Sequence, residues 1–455
     1  MNAKLNDMVQ NKPLLPDDNP ILQGNFGPVS EELTLHPLEV VGTLPDALNG
    51  TLLRNGPNPV DPQPNHHWFV GDAMLHAIKL SKGKALEYRN RWVRTTALEE
   101  KTGLKAAPVT GTELMVQGSG AVNVVQHGGY ILALPEVGLP YQVNLNLETE
   151  RQFDYEGKLA SSMTAHPKID GKTGEMLFFG YDLVEPFLRY HSVSADGKLT
   201  KTIEIDLPAG VMMHDFGVTA TRVVFMDLPV VCNFDLMEDG YPMPFQWDDN
   251  HQSRLGVMDR SATSDTVKWI DIDPCYVFHP LNSYDDGDNI VMDVVKYNKV
   301  FTSVSDAKYA KGAQLERWVI DVDAGTVSNR VLSDKDQEFP RIDPRLECHP
   351  HRYGYTLEAG GAHGFGGLYK HDLAEGSTQY HSVGENYAAG EPVFIPTGKA
   401  EDCGYILTVV YDVAAKTSEV RVIDAQDFSG DPVAIIKLNA RVPFGFHGNF
   451  VAEKV

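Results

Sequence analysis

The chain of 455 residues is poor in cysteine, in basic side chains and in long apolar runs. Its four cysteines (Cys232, Cys275, Cys348, Cys403) form no CxxC pair, which favours reduced thiols. A formal net charge of -23 argues against nucleic acid as a partner and against electrostatic docking on anionic lipid. No stretch approaches the roughly 18 apolar residues that span a bilayer, and the first residues lack the apolar core of a signal peptide. These shortages predict a cytoplasmic protein.

Helix-period stretches are also scarce, and residues 96–104 are the best candidate. Most of the chain after Leu33 consists of short β-like runs that end in turn signals, such as residues 129–134, 175–179, 221–226, 289–295 and 405–411. Such an all-β chain fits a sandwich pair or a propeller. No repeat of blade size is visible, yet the length accommodates about seven four-stranded blades of roughly 50 to 65 residues. Residues 1–33 are expected to form an extended lead-in, and residues 34–455 a single domain.

Four histidines stand in dissimilar surroundings: His166 in T-A-H-P-K, His214 in M-M-H-D-F, His279 in V-F-H-P and His447 in G-F-H-G-N. No single helix or loop can present them together, because they lie 48, 65 and 168 residues apart. If the fold brings them to one point, four neutral imidazoles form an all-nitrogen site that suits Fe(II), Zn or Cu. The first three lie about one blade length apart, which suggests one histidine per blade facing a common axis.

Other clusters do not predict chemistry. The C-H-P-H run from Cys348 to His351 lacks a second pair of ligands for a zinc site. His66 and His67 are adjacent and point apart on a strand. The glycine-rich stretch around His363 has no strand-to-helix context and no following Lys-Ser/Thr, and the chain has no Gly-x-Ser-x-Gly elbow. Phosphate loops and serine hydrolases are therefore disfavoured.

As a set, several segments resemble the carotenoid cleavage oxygenases, a family of non-haem iron dioxygenases. The matching segments occur in the family's order and cover most of residues 34–452: 40–59, 66–78, 162–181, 212–229, 277–284, 338–343, 390–396 and 442–450. The resemblance implies a seven-bladed β-propeller with iron on its axis. Loops and helices would form a dome over a substrate tunnel.

The resemblance also implies roles for individual residues. His166, His214, His279 and His447 would be the Fe(II) ligands. Glu136, Glu338 and Glu391 would accept hydrogen bonds from three of the four imidazoles, usually the last three, since a metal-bound imidazole usually needs a partner on its other nitrogen. Val122 stands where a threonine often approaches the iron. Asp72, Asp215 and Glu401 also occupy familiar positions, for which a structural role is at least as well supported.

The implied reaction is oxidative cleavage of an apolar alkene by O2, with one oxygen atom entering each carbonyl product. Many members have a longer apolar helix after the segment Arg91 to Thr95. In this chain the region contains Glu99, Glu100 and Lys101, so membrane contact is expected to be peripheral at most. A related branch cleaves stilbenes and phenylpropanoids and uses a lysine just before the first of the three glutamates, where this chain has Pro135.

Pro135 favours a carotenoid or apocarotenoid substrate. Cleavage of a stilbenoid or isoeugenol-like alkene is the alternative, followed by the isomerase activity of one vertebrate branch and by an iron-free binding scaffold. The sequence does not indicate the oligomeric state.

Overall fold

The computed structural model describes residues 19–302 and 312–453. Short strands joined by tight turns pair with their neighbours along the chain and form seven antiparallel sheets of four or more strands, beside one two-stranded hairpin. The seven larger sheets are the blades of a seven-bladed β-propeller with few helices, which confirms the predicted fold class. The strands of the ring run from Thr34 to Ala452. The division into a lead-in and a single domain stays a prediction, and residues 1–18 of that lead-in lie outside the described residues.

Each blade has at least four strands, named in order from the inner to the outer edge of its sheet. Blade 1 comprises Gly448–Ala452, Gly50–Pro57, Ala73–Ser81, Lys84–Trp92 and Thr34–Leu35; blade 2 comprises Asn123–His127, Tyr130–Leu134, Tyr141–Val143 and Thr149–Gln152; blade 3 comprises Lys168–Ile169, Met176–Tyr181, Leu188–Val193 and Leu199–Ile205; blade 4 comprises Gly217–Val218, Arg222–Asp227, Arg254–Asp259 and Lys268–Asp271.

The remaining blades have longer or interrupted inner strands. Blade 5 comprises Tyr276–Asp286, Asn289–Tyr297, Gln314–Asp321 and Thr326–Ser333; blade 6 comprises Gln337–Arg341, Tyr353–Gly361, Gly364–Asp372 and Ser377–His381; blade 7 comprises the interrupted inner strand Tyr387–Ala389 and Val393–Pro396, then Gly404–Asp412, Thr417–Asp424, Ala434–Lys437 and Glu39–Gly42.

The ring is closed at two places. Gly448–Ala452, from the end of the chain, pairs with Gly50–Pro57 and supplies the inner strand of blade 1. Glu39–Gly42, from its beginning, pairs with Ala434–Lys437 and supplies the outer strand of blade 7. Early and late segments therefore complete each other's sheets, as a closed ring of blades requires.

Hydrophobic cores fill the spaces between neighbouring blades. Strand Met176–Tyr181 is buried along its whole length, and its alternate side chains point to opposite faces. Phe178 packs in the core that includes blade 2, whereas Phe179 packs in the core that includes blade 4. The continuous apolar run in this strand is the consequence of having a neighbour on each face.

Two insertions lie at the end of the ring where the inner strands begin. They are the helix Thr96–Thr102, between blades 1 and 2, and the hairpin Val230–Cys232 with Phe245–Trp247, which bears the short helix Asp235–Glu238. Two 3-10 turns cover Pro20–Leu22 and Pro344–Leu346.

The described residues that precede the first strand pack against the propeller. Ile21 is buried, and the ring of Phe26 contacts Trp68 and Phe444. Across the described ranges, every helix falls short of the length and apolarity that a membrane crossing requires.

Candidate metal centre and substrate cavity

The four candidate histidines lie at the inner ends of four different blades. His447 immediately precedes the inner strand of blade 1, and His166 and His214 lie just before those of blades 3 and 4. His279 lies within the inner strand of blade 5, at a break in its register with the next strand. Because all inner strands begin at the same end of the ring, the four side chains converge on the axis.

Their imidazoles form one tight cluster. One nitrogen from each ring lies within 4.8 Å of the corresponding nitrogen of every other, and the Nε2 atoms of His214 and His279 are 3.2 Å apart. No second group of this kind occurs among residues 19–302 and 312–453. All four rings are buried or nearly so. At these distances, one nitrogen of each imidazole faces the same small space between the four rings.

Three of the rings are oriented by glutamates on their Nδ1 side. His214 Nδ1 lies 2.9 Å from Glu136 Oε1, His279 Nδ1 lies 2.6 Å from Glu338 Oε2, and His447 Nδ1 lies 2.8 Å from Glu391 Oε1. These contacts place the Nδ1 proton toward each carboxylate and leave Nε2 free as a ligand atom.

Backbone irregularities aim two of these glutamates at the axis. Glu338 lies at a bulge where Phe339 adopts a positive φ of 52°. Glu391 lies where the inner strand of blade 7 is interrupted between Ala389 and Val393. Bulges redirect side chains, and they are frequent next to functional sites.

The fourth ring, His166, has a different environment. Its Nδ1 is 3.7 Å from Asp215 Oδ2, and Lys168 Nζ forms an ion pair with Asp215 at 2.8 Å. Its Nε2 is buried and has no hydrogen-bond partner within the described ranges. A buried polar atom of this kind is rare in a folded protein, and a bound cation in the cluster would satisfy it.

The electrostatics of the cluster favour a neutral ring at His166 and at His447 but not at His214. Burial, followed by the three neighbouring imidazoles, holds the pKa of His166 well below its ordinary value. Burial also lowers the pKa of His447 to about 4, although Glu391 opposes it. Burial lowers the pKa of His214, but Glu136 together with Asp215 and Glu338 raises it above its ordinary value. Burial opposes ionisation of Glu391, but Arg341, His447 and the amide of Gly448 together lower its pKa to about 2. Neutral imidazole is the form that binds a metal, so the donor set fits a divalent cation.

A cavity of about 620 Å³ adjoins the cluster, and His214, His279 and His447 line it. Most of its wall is apolar and aromatic, with Phe69 and Phe278 in edge-to-face contact at 5.9 Å. The hairpin Val230–Cys232 with Phe245–Trp247, called the blade 4 hairpin below, adds Phe234 and Phe245. This combination of an apolar space and a few convergent polar groups is typical of a small-molecule site.

Val122 lines the cavity, and its carbonyl accepts a hydrogen bond from the backbone amide of His447 at 3.2 Å. Pro135 and Glu136 line it as well, so residue 135 faces the substrate space. Where the stilbene-cleaving branch is expected to have a lysine, the wall of this cavity therefore has the apolar ring of Pro135.

The other residues that the sequence motifs indicated have structural contacts. Asp72 accepts from Lys101 Nζ at 2.8 Å, and Glu401 accepts from the amides of Arg352 and Tyr353 at 2.7 Å. His349 and His351 lie apart from the axial cluster, beside Asp170 and Asp293 respectively. The burial of His67 lowers its pKa to about 4.

Sequence reasoning did not identify the residues that hold the glutamates. Tyr181 donates to Glu136 and Tyr297 donates to Glu338, both at 3.0 Å, while Arg341 Nη1 lies 3.3 Å from Glu391. Tyr181 and Arg341 lie inside family-like motifs, F-F-G-Y and E-F-P-R, which were a usable signal. Tyr297 had none, because its position depends on how blades 5 and 6 meet.

A family model described as retinal pigment epithelial membrane protein matches residues 26–452. The chain is also 36% identical to a carotenoid cleavage oxygenase of Mycobacterium tuberculosis, over 95% of this chain and 97% of that protein. The chain belongs to the carotenoid cleavage oxygenase family. It is 34% identical to a carotenoid 9,10(9',10')-cleavage dioxygenase of Phaseolus vulgaris, over 95% of this chain and 89% of that protein.

Solved structures of this family agree with the fold. The lignostilbene dioxygenase of Pseudomonas brassicacearum superposes with a TM-score of 0.86 at 27% identity, over 97% of this chain and 100% of that one. A cobalt-substituted apocarotenoid oxygenase of Synechocystis gives a TM-score of 0.83 at 26% identity, with the same coverage. The predicted family and enzyme class are confirmed, and the protein is an oxygenase of the carotenoid cleavage oxygenase family.

Proposed function

We propose that the protein is an Fe(II)-dependent dioxygenase that cleaves one C=C bond of a carotenoid or apocarotenoid into two carbonyl products. The supporting observation is the apolar cavity that ends on four clustered, buried imidazoles, three of which are hydrogen-bonded to glutamates. His166, His214, His279 and His447 would hold the ion. Glu136, Glu338 and Glu391 would fix the last three rings.

When bound, Fe(II) supplies the activation of O2, which the side chains present cannot provide. The protein's own part is binding, orientation and exclusion of water. Phe69, Phe278 and the other apolar residues of the wall take up the polyene, and Val122 shapes the space beside His447. The two oxygen atoms of O2 enter the two products, so that one alkene and one O2 give two carbonyl compounds and no oxidant beyond O2 is consumed.

Pro135 favours a carotenoid or apocarotenoid substrate over a stilbenoid. A phenol of a stilbenoid needs a polar partner in the wall, and a proline ring at this position offers none, since it has neither a side-chain donor nor a backbone N–H. Cleavage of stilbenoid or phenylpropanoid alkenes is the second candidate, because a lignostilbene dioxygenase is among the structural neighbours. A cytoplasmic location and the absence of a nucleic-acid partner stay predictions.

The first test is anaerobic loading with Fe(II), followed by 18O2 and either an apocarotenal or a hydroxystilbene. Mass spectrometry of the aldehydes should show one labelled oxygen in each product from the apocarotenal. Labelled products from the hydroxystilbene alone would transfer the proposal to the second candidate. An iron-loaded protein that cleaves neither would be a binding scaffold with the family's fold.

The metal ligands are tested by His214→Ala. Loss of both stoichiometric iron and turnover, with an unchanged circular dichroism spectrum, is the expected result, because the cluster loses one of its four nitrogens. His363→Ala, at a histidine outside the cluster, is the matched control and should keep both. Turnover that survives in His214→Ala would refute the ligand assignment.

A further inference from the structure

One wall of the cavity contains a tyrosine hydroxyl that neither the histidine cluster nor the fold uses. Three tyrosines line the cavity, and two of them, Tyr181 and Tyr297, donate to Glu136 and Glu338. The third, Tyr141, begins a strand of blade 2 and is only 2% exposed. Its hydroxyl forms no hydrogen bond with any residue in the described ranges. Because Tyr141 lines the cavity, this hydroxyl is available to a ligand.

Tyr141 differs from the other buried tyrosines whose hydroxyls have no partner among the described residues, because it lines the cavity. Tyr155, Tyr190 and Tyr355 also have hydroxyls without a partner in the described ranges, but none of the three lines the cavity. Among the tyrosines that the structure describes, only Tyr141 combines an unused hydroxyl with access to the substrate space. Burial raises the pKa of Tyr141, so its phenol stays protonated and acts as a donor.

The neighbouring wall adds further donors. The connection between blades 1 and 2 contributes Lys101 and Ser119 to the cavity lining. Lys101 is the one Lys or Arg among the described lining residues, and its ammonium contacts both oxygens of Asp72, at 2.8 and 3.1 Å. Because Asp72 balances this charge, the wall offers N–H and O–H donors without a net positive charge. Such a wall suits a neutral oxygen acceptor better than a carboxylate.

The opposite side of the cavity is lined by apolar side chains. The blade 4 hairpin contributes Phe234, Met237, Met243 and Phe245, and blade 5 contributes Phe278. These side chains offer no hydrogen bond. The cavity is therefore asymmetric: the unused tyrosine hydroxyl lies on the side of blades 1 and 2, whereas the residues that the hairpin contributes are all apolar.

We infer that the wall at Tyr141 receives an oxygen-bearing end of the alkene, a hydroxyl or a carbonyl, with Tyr141 as the hydrogen-bond donor and Lys101 and Ser119 as donors in the adjoining wall. This inference rests on the proposed function and narrows its substrate class to oxygenated polyenes. A polyene anchored at one end presents a fixed double bond to the histidine cluster. Tyr141 is thus a specificity-determining residue for both the substrate and the bond.

The test compares Tyr141→Phe with the wild type on polyenes of one chain length that end in an aldehyde, an alcohol, a carboxylate or a hydrocarbon. Binding is measured by quenching of tryptophan fluorescence, since Trp68 lines the cavity, and turnover is measured separately. Loss of one hydrogen bond should raise Kd and KM for the aldehyde and the alcohol about 10-fold and leave kcat and the hydrocarbon within about 2-fold. Tyr155→Phe, which removes a buried hydroxyl outside the cavity, should change none of these values.

Equal effects of Tyr141→Phe on all four polyenes, or no effect on any, would overturn the inference, as would wild-type preference for the carboxylate or the hydrocarbon. The fluorescence titration separates this outcome from failure of the proposed function. A wild type that cleaves no polyene yet binds the aldehyde through Tyr141 would refute the cleavage reaction and retain the oxygen-binding wall.

Discussion

The three glutamates around the histidine cluster are held unequally. Glu338 and Glu391 each accept a backbone amide in addition to an imidazole, from Phe339 at 2.6 Å and from Gly448 at 2.8 Å. Glu136 accepts from His214 and Tyr181 through Oε1, and its Oε2 is without a partner in the described part of the chain. The carboxylates of blades 6 and 7 are therefore the better fixed.

We expect Glu338→Gln and Glu391→Gln to weaken Fe(II) binding by about 10- to 100-fold, the usual effect of losing such a partner. Glu136→Gln should lie at the lower end of that range. Competition with a calibrated chelator measures each affinity. Glu358→Gln, in blade 6 but bonded to Tyr380 and Gly367, is the control and should bind Fe(II) normally. Equal affinities for all four variants would contradict the ranking.

The residue identities at the site were accessible from the sequence because motifs surround them. The four histidines and Glu338 and Glu391 lie in segments whose order is that of the family. Their contacts were not accessible in this way. Glu136 of blade 2 meets His214 of blade 4, two blades further along the ring, and Tyr297 reaches Glu338 of the next blade. Such pairings depend on the closed ring, and no local pattern encodes them.

Among the strands, Met176–Tyr181 of blade 3 has a steric constraint that affects the metal centre. A Cβ added at Gly180 would lie 1.8 Å from the carbonyl oxygen of Ser162, in the segment that leads to His166. No methyl group fits there unless the segment moves. The close approach is the reason for glycine in the F-F-G-Y motif.

Gly180→Ala should therefore destabilise the fold by about 1 to 3 kcal/mol, the usual cost of overpacking, and weaken metal binding through His166. Thermal unfolding with and without metal measures both effects. Gly111→Ala is the matched control, because a Cβ there meets no atom within 4 Å. A Gly180→Ala protein with wild-type stability and metal affinity would show that the segment yields without cost.

Sequence patterns predicted the long strands well and the axial ones poorly. The run proposed at residues 405–411 is the strand Gly404–Asp412, and the helix proposed at 96–104 is Thr96–Thr102. That helix ends earlier because Gly103 takes the left-handed C-cap conformation. The inner strands Lys168–Ile169 and Gly217–Val218 have two residues each and give no alternation to detect. Near the axis, the segments that carry His166 and His214 are not regular strands, so the polar-apolar alternation of a strand is absent there.

Over the whole molecule, buried histidines couple stability to pH. Burial lowers the pKa to about 3 for His76 and His191 and to about 4 for His67, His351, His371 and His447. The unfolded chain binds a proton at each of these sites near pH 6.5, whereas the folded chain does not until its lower pKa is reached. Stability rises with pH through this window and is lost as pH falls from about 6.5 to about 4.

We expect the metal-free protein to show a steep fall in Tm between about pH 6.5 and pH 4. His191→Gln should make this fall shallower, because each buried neutral histidine contributes up to about 1.4 kcal/mol per pH unit. His214 acts outside this window: because its pKa is raised, its contribution is complete below about pH 6.5 and is lost as pH rises through the higher pKa. His363→Gln is the control, and scanning calorimetry across the range is the measurement. A Tm that is flat from pH 6.5 to 4 would contradict the coupling.

The seam that closes the ring runs beside the metal centre. The closing strand Gly448–Ala452 begins one residue after His447, and the amide of Gly448 is bonded to the glutamate that orients that ring. A tensile load applied to the chain beyond Ala452 would reach His447 before it reached any other blade. The backbone amides by which this strand pairs with Gly50–Pro57 are expected to exchange with solvent when the seam opens, and an ion seated on His447 would oppose that opening.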